Sequence, residues 1–176
     1  GDAFVMRDPW GIRPAYYYKD DEVVVVASEA SVIQTAFQGM NMEISEIRPG
    51  YALLIKKDGT VTEELVREPQ QRASCSFERI YFSRGNDRNI YRERKKLGEL
   101  LTPRLVKAVD GDLDNTVFSF IPNTAETSFY GMVKGIQQYM VEEKKRLIRE
   151  GKATWSEETL DEIICREPRI EKIVIK

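Results

Sequence analysis

The chain has 176 residues, of which 41% are apolar, so it is long enough to bury a core as one large domain or two small ones. Lysine and arginine number 27 against 29 aspartate and glutamate, a balance that argues against nucleic acid or an anionic membrane as partner. The longest apolar run, Val23–Ala27, is far shorter than the roughly 20 residues that cross a bilayer. Because the chain contains no histidine, Ser-His and Cys-His catalysis within it are excluded.

Up to about residue 83 the chain has the pattern of antiparallel strands. The separators are turn sequences: a glycine follows a proline in 8–11 and in 48–50, and Asp58-Gly59 is typical of a short hairpin. One helix interrupts the strands, with Ser28 as its expected N-cap and an apolar face that includes Ile33. The predicted strands are the β-branched and aromatic runs 3–6, 15–19, 22–27, 51–56, 60–66 and 77–83.

Beyond residue 84 the apolar period changes from two to about 3.6, which predicts helices over 91–109 and 127–149. Pro103 is expected to break or kink the first of them. Between the two helices, the run 117–121 predicts a strand covered on both faces, as in a parallel α/β unit. Further predictions are a short helix that ends at Cys165, capped by Ser156 or Thr154, and a strand over 169–175.

The ends of the chain and its two cysteines give two further expectations. The chain starts without methionine, and both of its ends lie in apolar strand patterns, which indicates a piece cut from a longer protein. Cys75 and Cys165 are too few and too far apart for a disulfide framework or a CxxC metal site, so we expect a reducing, cytoplasmic setting.

Three short segments in the first half resemble class II glutamine amidotransferases. Residues 7–17, RDPWGIRPAYY, are similar to the RDPxGIRPL element of these enzymes, 26–29 to their ASE element, and 47–51 to their PGE turn. Each segment also has a purely structural interpretation. The Pro-Trp-Gly sequence suits a tight turn, Ser28 suits a helix cap, and Arg7 or Asp8 suits an ion pair.

Residues 75–84, CSFERIYFSR, are similar to the segment that joins the two domains of amidophosphoribosyltransferases. The resemblance implies an α+β fold, the C-terminal part of an N-terminal-nucleophile αββα sandwich over 1–83, followed over 84–176 by the start of an α/β type I phosphoribosyltransferase domain. It also implies a parent enzyme that hydrolyses glutamine and transfers the ammonia to 5-phosphoribosyl 1-diphosphate. The nucleophile and the main diphosphate loop of that family have no counterpart here, so we expect the piece alone to be inactive.

The same resemblance implies three candidate site residues. Thr124, with Asn123 beside it, matches the strand-end loop that contacts diphosphate and Mg²⁺ in the family; the alternative is that Thr124 or Thr127 caps a helix. Cys75 matches a cysteine that ligates a [4Fe-4S] cluster in some members; the alternative is a buried free thiol, since one thiolate cannot hold a cluster.

Departures from the family pattern leave the parent's activity open. The Pro-Asp-Ser of the family is replaced by 85–87, GND, and the acidic residue of its strand-end loop is replaced by Asn123. A non-catalytic paralogue with a structural or regulatory role is one alternative, and another class II amidotransferase, such as asparagine synthetase, is a second. For the parent we expect a homo-oligomer that does not bind nucleic acid or a membrane.

Overall fold

The computed structural model describes residues 1–38, 41–151 and 155–174. It divides into two units, residues 1–90 and residues 91–176, and the division falls within the first turn of a helix. Among the described residues, no helix is both long and apolar enough to cross a membrane. The mixture of sheet and helix agrees with the predicted α+β class.

The first unit contains two antiparallel sheets of three strands each. The first sheet consists of β1 (Ala3–Met6), β5 (Tyr51–Ile55) and β6 (Val61–Leu65), in the order β1-β5-β6. The second consists of β2 (Tyr16–Lys19), β3 (Val24–Ala27) and β4 (Ser45–Glu46), in the order β3-β2-β4. Five of the six predicted strands are therefore confirmed. The two-residue β4 was missed because it is too short to show a period.

Turn residues set the register of these sheets. Gly11, Gly50 and Gly59 all have positive φ, the conformation that their turns require. At the β5–β6 hairpin, Asp58 accepts a hydrogen bond from the Thr60 amide at 2.9 Å, and β5 then pairs with β6 from Ile55–Val61 onward. The hairpin predicted from Asp58-Gly59 is confirmed.

Helix α1 (Ala30–Ala36) packs on the second sheet, with Ile33 fully buried. Its N-cap residue is Glu29, whose side chain makes no cap hydrogen bond, so the prediction of Ser28 as N-cap was wrong by one residue. The chain stays extended through Glu29, which moves the first helical turn beyond the reach of the Ser28 hydroxyl.

Residues 77–83 do not form the predicted strand. Residues Glu78–Phe82 form a π-helical turn, closed by a hydrogen bond from the Ser83 amide to the Glu78 carbonyl at 2.7 Å. The aromatic and β-branched composition indicated a strand, but a strand requires a hydrogen-bonding neighbour along its edge. The turn satisfies its backbone groups locally instead.

The second unit is built on two long helices, α2 (Arg88–Ala108) and α3 (Glu126–Gly151), both of which were predicted. Helix α2 runs through Pro103 without a break, so of the predicted break or kink the break was wrong. The core lies between these helices and the strand that joins them, and its buried members are Val106, Leu113, Phe118, Phe129, Met132, Ile136 and Met140.

Strand β7 (Val117–Phe118) pairs in parallel with β8 (Arg169–Ile170). Both strands are shorter than predicted, and the prediction for 169–175 extends to Ile175, outside the described residues. Phe118 is buried whereas Val117 is exposed, so β7 is covered on one face rather than two. Helix α4 (Glu157–Cys165) begins as predicted, with the Ser156 hydroxyl accepting from the Thr159 amide; Thr154, the alternative cap, lies outside the described residues.

Candidate functional site

The loop after β7 contains the two residues predicted to contact diphosphate. Asn123 and Thr124 are both exposed, in a turn between the end of the strand and the first residue of α3. The Asn123 carbonyl accepts a hydrogen bond from the Glu126 amide at 3.2 Å, which fixes the turn at the helix start. Ligands of open α/β sheets bind at such strand ends, where helix N-termini favour negative charge.

The structure also limits the alternative that a threonine caps α3. The helix begins at Glu126, so Thr127 lies inside its first turn and Thr124 lies two residues before the first helical residue. Neither threonine holds the N-cap position, which falls to Ala125. The cap interpretation is therefore wrong for Thr127, and Thr124 lies one residue before the N-cap position.

The acidic group nearest to this loop along α3 is Glu126. Its carboxylate accepts a hydrogen bond from the Tyr130 hydroxyl at 2.9 Å, and this hydrogen bond raises the pKa of Tyr130. A carboxylate at the helix start suits the helix dipole but repels a bound anion unless a cation lies between them.

The loop supplies two of the oxygen ligands that a hard cation such as Mg²⁺ prefers. The Asn123 amide and the Thr124 hydroxyl supply oxygen atoms of the kind that Mg²⁺ accepts. Within the described ranges, no group of three or more His, Cys, Asp or Glu residues gathers in a way that holds a metal ion. Such a loop fits an ion that takes few protein ligands and most of its shell from water and phosphate oxygens.

Cys75, the candidate iron–sulfur ligand, is half-buried in the first unit. Its backbone amide donates to the Ile12 carbonyl at 2.9 Å, so the thiol is held beside the 7–17 motif. Cys165 is exposed at the end of α4 and belongs to the second unit. Both cysteines are free thiols.

A cavity of about 120 Å³ with polar and apolar lining lies in the first unit. Arg7 lines this cavity and is 96% buried. Its guanidinium pairs with Glu46 at 2.9 Å, and its Nε donates a hydrogen bond to the Arg13 carbonyl at 3.0 Å. Arg72 binds the same carboxylate oxygen of Glu46 at 3.0 Å. Burial, and then the nearby charge of Glu46, raise the pKa of Tyr16 in this wall. Arg7 therefore has the structural role that its sequence context suggested.

Asp8 also has a structural role, which its hydrogen bonds to the neighbouring backbone define. Its carboxylate accepts hydrogen bonds from the amides of Trp10, at 3.0 Å, and Ile12, at 2.9 Å, which hold the Pro-Trp-Gly turn closed. The glycine of this turn, Gly11, has φ +61° and packs against Arg7 and Pro49. The motif thus serves as a scaffold for the cavity wall.

The structure brings together motif residues that the sequence showed only separately. The carboxylate of Glu29, from the ASE element, accepts a hydrogen bond from the Arg84 amide at 2.7 Å. Arg13, from the RDPWGIRP element, forms an ion pair with Glu78, with 2.7 Å between Nε and Oε1. The angles at these atoms are not those of a hydrogen bond. The signal available in the sequence was the presence of complementary charges within motifs far apart in the chain.

Comparisons with known proteins agree with the class suggested by these motifs. No family model matches the chain. The amidophosphoribosyltransferase of Methanothermobacter thermautotrophicus is 33% identical over 106 residues, 57% of this chain and 21% of that protein. Amidophosphoribosyltransferase 2, chloroplastic, of Arabidopsis thaliana is 30% identical over 134 residues, 72% of this chain and 22% of that protein.

A solved structure of an enzyme of the same kind also matches the chain. Glutamine phosphoribosylpyrophosphate amidotransferase from B. subtilis, complexed with ADP and GMP, matches with a TM-score of 0.59 at 28% identity, over 77% of this chain and 29% of that chain. The class to which the chain is related is thus the glutamine amidotransferases. Within this class its relatives are amidophosphoribosyltransferases, as residues 75–84 predicted, and the chain spans only about a fifth of the length of the first curated relatives it matches.

Proposed function

We propose that the protein carrying this chain is a glutamine-dependent amidophosphoribosyltransferase that acts in the first step of purine nucleotide synthesis. The observation that carries the proposal is the similarity to proteins of that name, together with the B. subtilis structure. In this reaction glutamine is hydrolysed to glutamate and ammonia. The ammonia then displaces diphosphate from C1 of 5-phosphoribosyl 1-diphosphate, which gives 5-phosphoribosylamine.

We propose that this work is divided between two domains, whose boundary lies shortly before the division of the two units at residue 90. We assign residues 1–83 to the end of an N-terminal-nucleophile glutaminase sandwich and residues 84–176 to the beginning of a type I phosphoribosyltransferase domain. Two three-stranded antiparallel sheets support the first assignment, and a parallel strand pair beside long helices supports the second. Cys75 and Cys165 both lie inside the chain, so neither has the free α-amino group that activates an N-terminal nucleophile.

The loop that holds Asn123 and Thr124 would contribute to diphosphate binding. Its place after β7 and before α3 supports this role, and its oxygen donors suit Mg²⁺ bridging to phosphate. When bound, the cation would neutralise the charge of the departing diphosphate. The Thr124 hydroxyl would orient a phosphate or cation-bound water, and Asn123 would supply a neutral oxygen in place of a carboxylate.

Substitution of Thr124 tests this assignment. In the full-length protein we expect Thr124→Ala to weaken diphosphate binding at least about tenfold, because a hydrogen bond to a charged group contributes about 1.5–3 kcal/mol. The free energy of unfolding should change little, since Thr124 is exposed. Isothermal titration with magnesium diphosphate measures the affinity, and Thr127→Ala, inside α3, is the matched control. Unchanged affinity with reduced stability would show that Thr124 is structural.

The activity itself needs the full-length protein. Glutamate and diphosphate should both be released when glutamine and 5-phosphoribosyl 1-diphosphate are supplied together. Release of neither would favour a non-catalytic paralogue, the alternative that Asn123 and the GND sequence at 85–87 suggest. Consumption of glutamine with aspartate and ATP instead would show an asparagine synthetase. The relatives and the segment 75–84 favour the first outcome.

Other properties of the parent follow from the same resemblance. We propose a homo-oligomer in the cytoplasm, with glutamine and 5-phosphoribosyl 1-diphosphate as its substrates. A [4Fe-4S] cluster on Cys75 would require three more thiolates, and this chain has only one other cysteine. Iron analysis and a visible absorption spectrum of the full-length protein distinguish a cluster from a free thiol.

A further inference from the structure

Residues 76–84, named here the strap, are held on the first unit with little burial. Glu78 is buried, with 6% of its surface exposed, whereas the large apolar residues of the strap are all at least half exposed. These residues are Phe77, Ile80, Tyr81 and Phe82, with exposures of 65%, 51%, 62% and 54%. Burial of apolar area therefore contributes little to holding this segment in place.

Polar contacts with the motif loops hold the strap instead. Arg13 pairs with Glu78 at 2.7 Å, and its guanidinium also lies 5.5 Å from the centre of the Phe82 ring. At the end of the strap, the Glu29 carboxylate accepts from the Arg84 amide at 2.7 Å. Because Arg13 is 65% exposed, water and salt weaken its two contacts.

The strands beneath the strap are held by a different kind of force. Strand β5 pairs on both sides, with β1 and with β6, and its Leu53 is only 1% exposed. Segments with few apolar contacts open at lower free energy than the core of the same unit. The strap and the sheet should therefore differ in stability, and in sensitivity to salt.

We propose that the strap is a releasable segment, held by polar contacts that include those of Arg13 and Glu29, that detaches from the first unit while both sheets stay folded. Arg13, Glu29 and Glu78 come from three motifs that the sequence singled out and that the proposed reaction does not use. The structure gives them a common role as the clasp of this segment. Detachment frees the π-helical turn and leaves the cavity wall at Arg7 and Glu46 in place, because those residues pair with each other.

Amide hydrogen exchange on the full-length protein tests the proposal. The Ser83 amide reports the π-helical turn and the Arg84 amide reports the Glu29 contact. We expect Arg13→Ala to raise the exchange rates of both amides about fivefold, the factor that corresponds to about 1 kcal/mol, and to leave the amides of β5 unchanged. Glu29→Ala should accelerate exchange at Arg84 more than at Ser83.

A matched control is present in the same unit. Arg48 pairs with Glu63 at 3.2 Å and lies 3.8 Å from the centre of the Tyr51 ring, so Arg48→Ala removes the same kinds of contact away from the strap. Equal acceleration of Ser83 exchange by Arg48→Ala would overturn the proposal. Exchange of Ser83 and Arg84 at the β5 rate in both the unaltered protein and Arg13→Ala would also overturn it.

Salt provides a second measurement in case Arg13→Ala destabilises the whole unit. Raising NaCl from about 0.05 M to about 1 M shortens the screening length to about 3 Å and weakens exposed ion pairs. In the unaltered protein this change should accelerate exchange at Ser83 and Arg84 and spare the amides of β5. Exchange at Ser83 and Arg84 that does not respond to salt would show that the strap is not held by its charges.

Discussion

At the scale of single residues, two glycines of the first unit share one backbone conformation but differ in their surroundings. Gly50 has φ +79° and Gly59 has φ +86°. A Cβ on Gly50 would collide with the Arg67 carbonyl oxygen, whereas a Cβ on Gly59 would meet no atom within 4 Å. Gly59 is therefore required by its turn alone. Gly50 is required by its turn and by the chain that passes beside it.

Alanine substitution separates these two requirements. We expect Gly59→Ala to cost about 1–2 kcal/mol, because the left-handed conformation is unfavourable for a residue with a Cβ. Gly50→Ala has the same conformational cost and must also displace residues 67–69. We therefore expect its free energy of unfolding to fall by at least about 1 kcal/mol more than that of Gly59→Ala. Urea unfolding of the two variants measures the difference. Equal losses would mean that the 67–69 segment moves freely.

Asp20 gives a pH-dependent contribution to the β2–β3 hairpin. It accepts hydrogen bonds from the Val23 and Glu22 amides, both at 2.8 Å, and from the Tyr18 hydroxyl at 2.8 Å. These bonds, the Val23 amide first, lower the pKa of Asp20 below 3.8. Because the folded pKa is depressed, the stabilisation is present above pH 3.8 and is lost as the pH falls through the folded pKa.

Substitution of Asp20 checks this pH dependence. The stability difference between Asp20→Ala and the unaltered protein should shrink on acidification from about pH 6 to about pH 2. Urea unfolding across this range gives the difference, and a carbon-detected NMR titration gives the pKa. Asp21→Ala, at the adjacent exposed position, is the control and should show a smaller change. A difference that does not vary with pH would contradict the assigned hydrogen bonds.

At the scale of elements, glycines set the separation of α2 and α3. A Cβ on Gly98 would collide with the Ser128 carbonyl oxygen, and a Cβ on Gly131 with that of Lys95. A Cβ on Gly135 would collide with the Thr102 hydroxyl. Three glycines from two helices thus allow the backbones to approach more closely than any side chain permits. The cost of glycine within a helix is offset by this packing.

The stability change caused by Gly98→Ala tests this explanation, because propensity and packing predict changes of opposite sign. Glycine-to-alanine changes in an exposed helix stabilise by about 1 kcal/mol, so propensity alone predicts a more stable Gly98→Ala variant. Because the new methyl group meets backbone, we expect a loss of about 2–3 kcal/mol instead. Thermal or urea unfolding measures it, with Arg104→Ala on the exposed side of α2 as control, expected within about 0.5 kcal/mol of the unaltered protein. A stabilised Gly98→Ala would refute the close approach.

At the scale of the whole molecule, each unit has its own buried residues. Ile33, Ile47 and Leu53 are essentially fully buried in the first unit, and Ile136 is fully buried in the second. The core around Ile136 contains only residues beyond 91. Each unit therefore has the buried apolar side chains that a separate hydrophobic core requires.

A core truncation shows whether the second core acts separately. Ile136→Ala should cost about 2–5 kcal/mol, because it removes buried methylene groups and leaves a cavity among close-packed side chains. We expect amide exchange in α2 and α3 to rise, while the amides of β1 and β5 keep their protection. Ile148→Ala, at an exposed position of α3, is the control. Loss of protection in both units together would contradict the separation of the cores.

Local sequence signals predicted the elements and missed the contacts between them. Alternation and turn residues located β1, β2, β3, β5 and β6, because side-chain period and positive-φ glycines are local properties. The strand predicted over 77–83 was wrong, because a strand-like composition does not provide the adjacent strand with which a strand must form hydrogen bonds. For the candidate site, the sequence indicated Asn123, Thr124 and Cys75 as separate positions, and showed neither the cavity nor the pairing of Arg7 with Glu46.

The sequence by itself determined the division into strands and helices, the tight turns and the family to which the chain is related. These depend on residue type and on spacing over a few positions, which need no long-range contact. Only the tertiary structure decided that Glu29 meets the Arg84 amide, that Arg13 meets Glu78, and that Gly98 lies against Ser128. Such pairs join residues 30 to 65 positions apart, and their partners are selected by backbone direction and burial, which no local pattern contains.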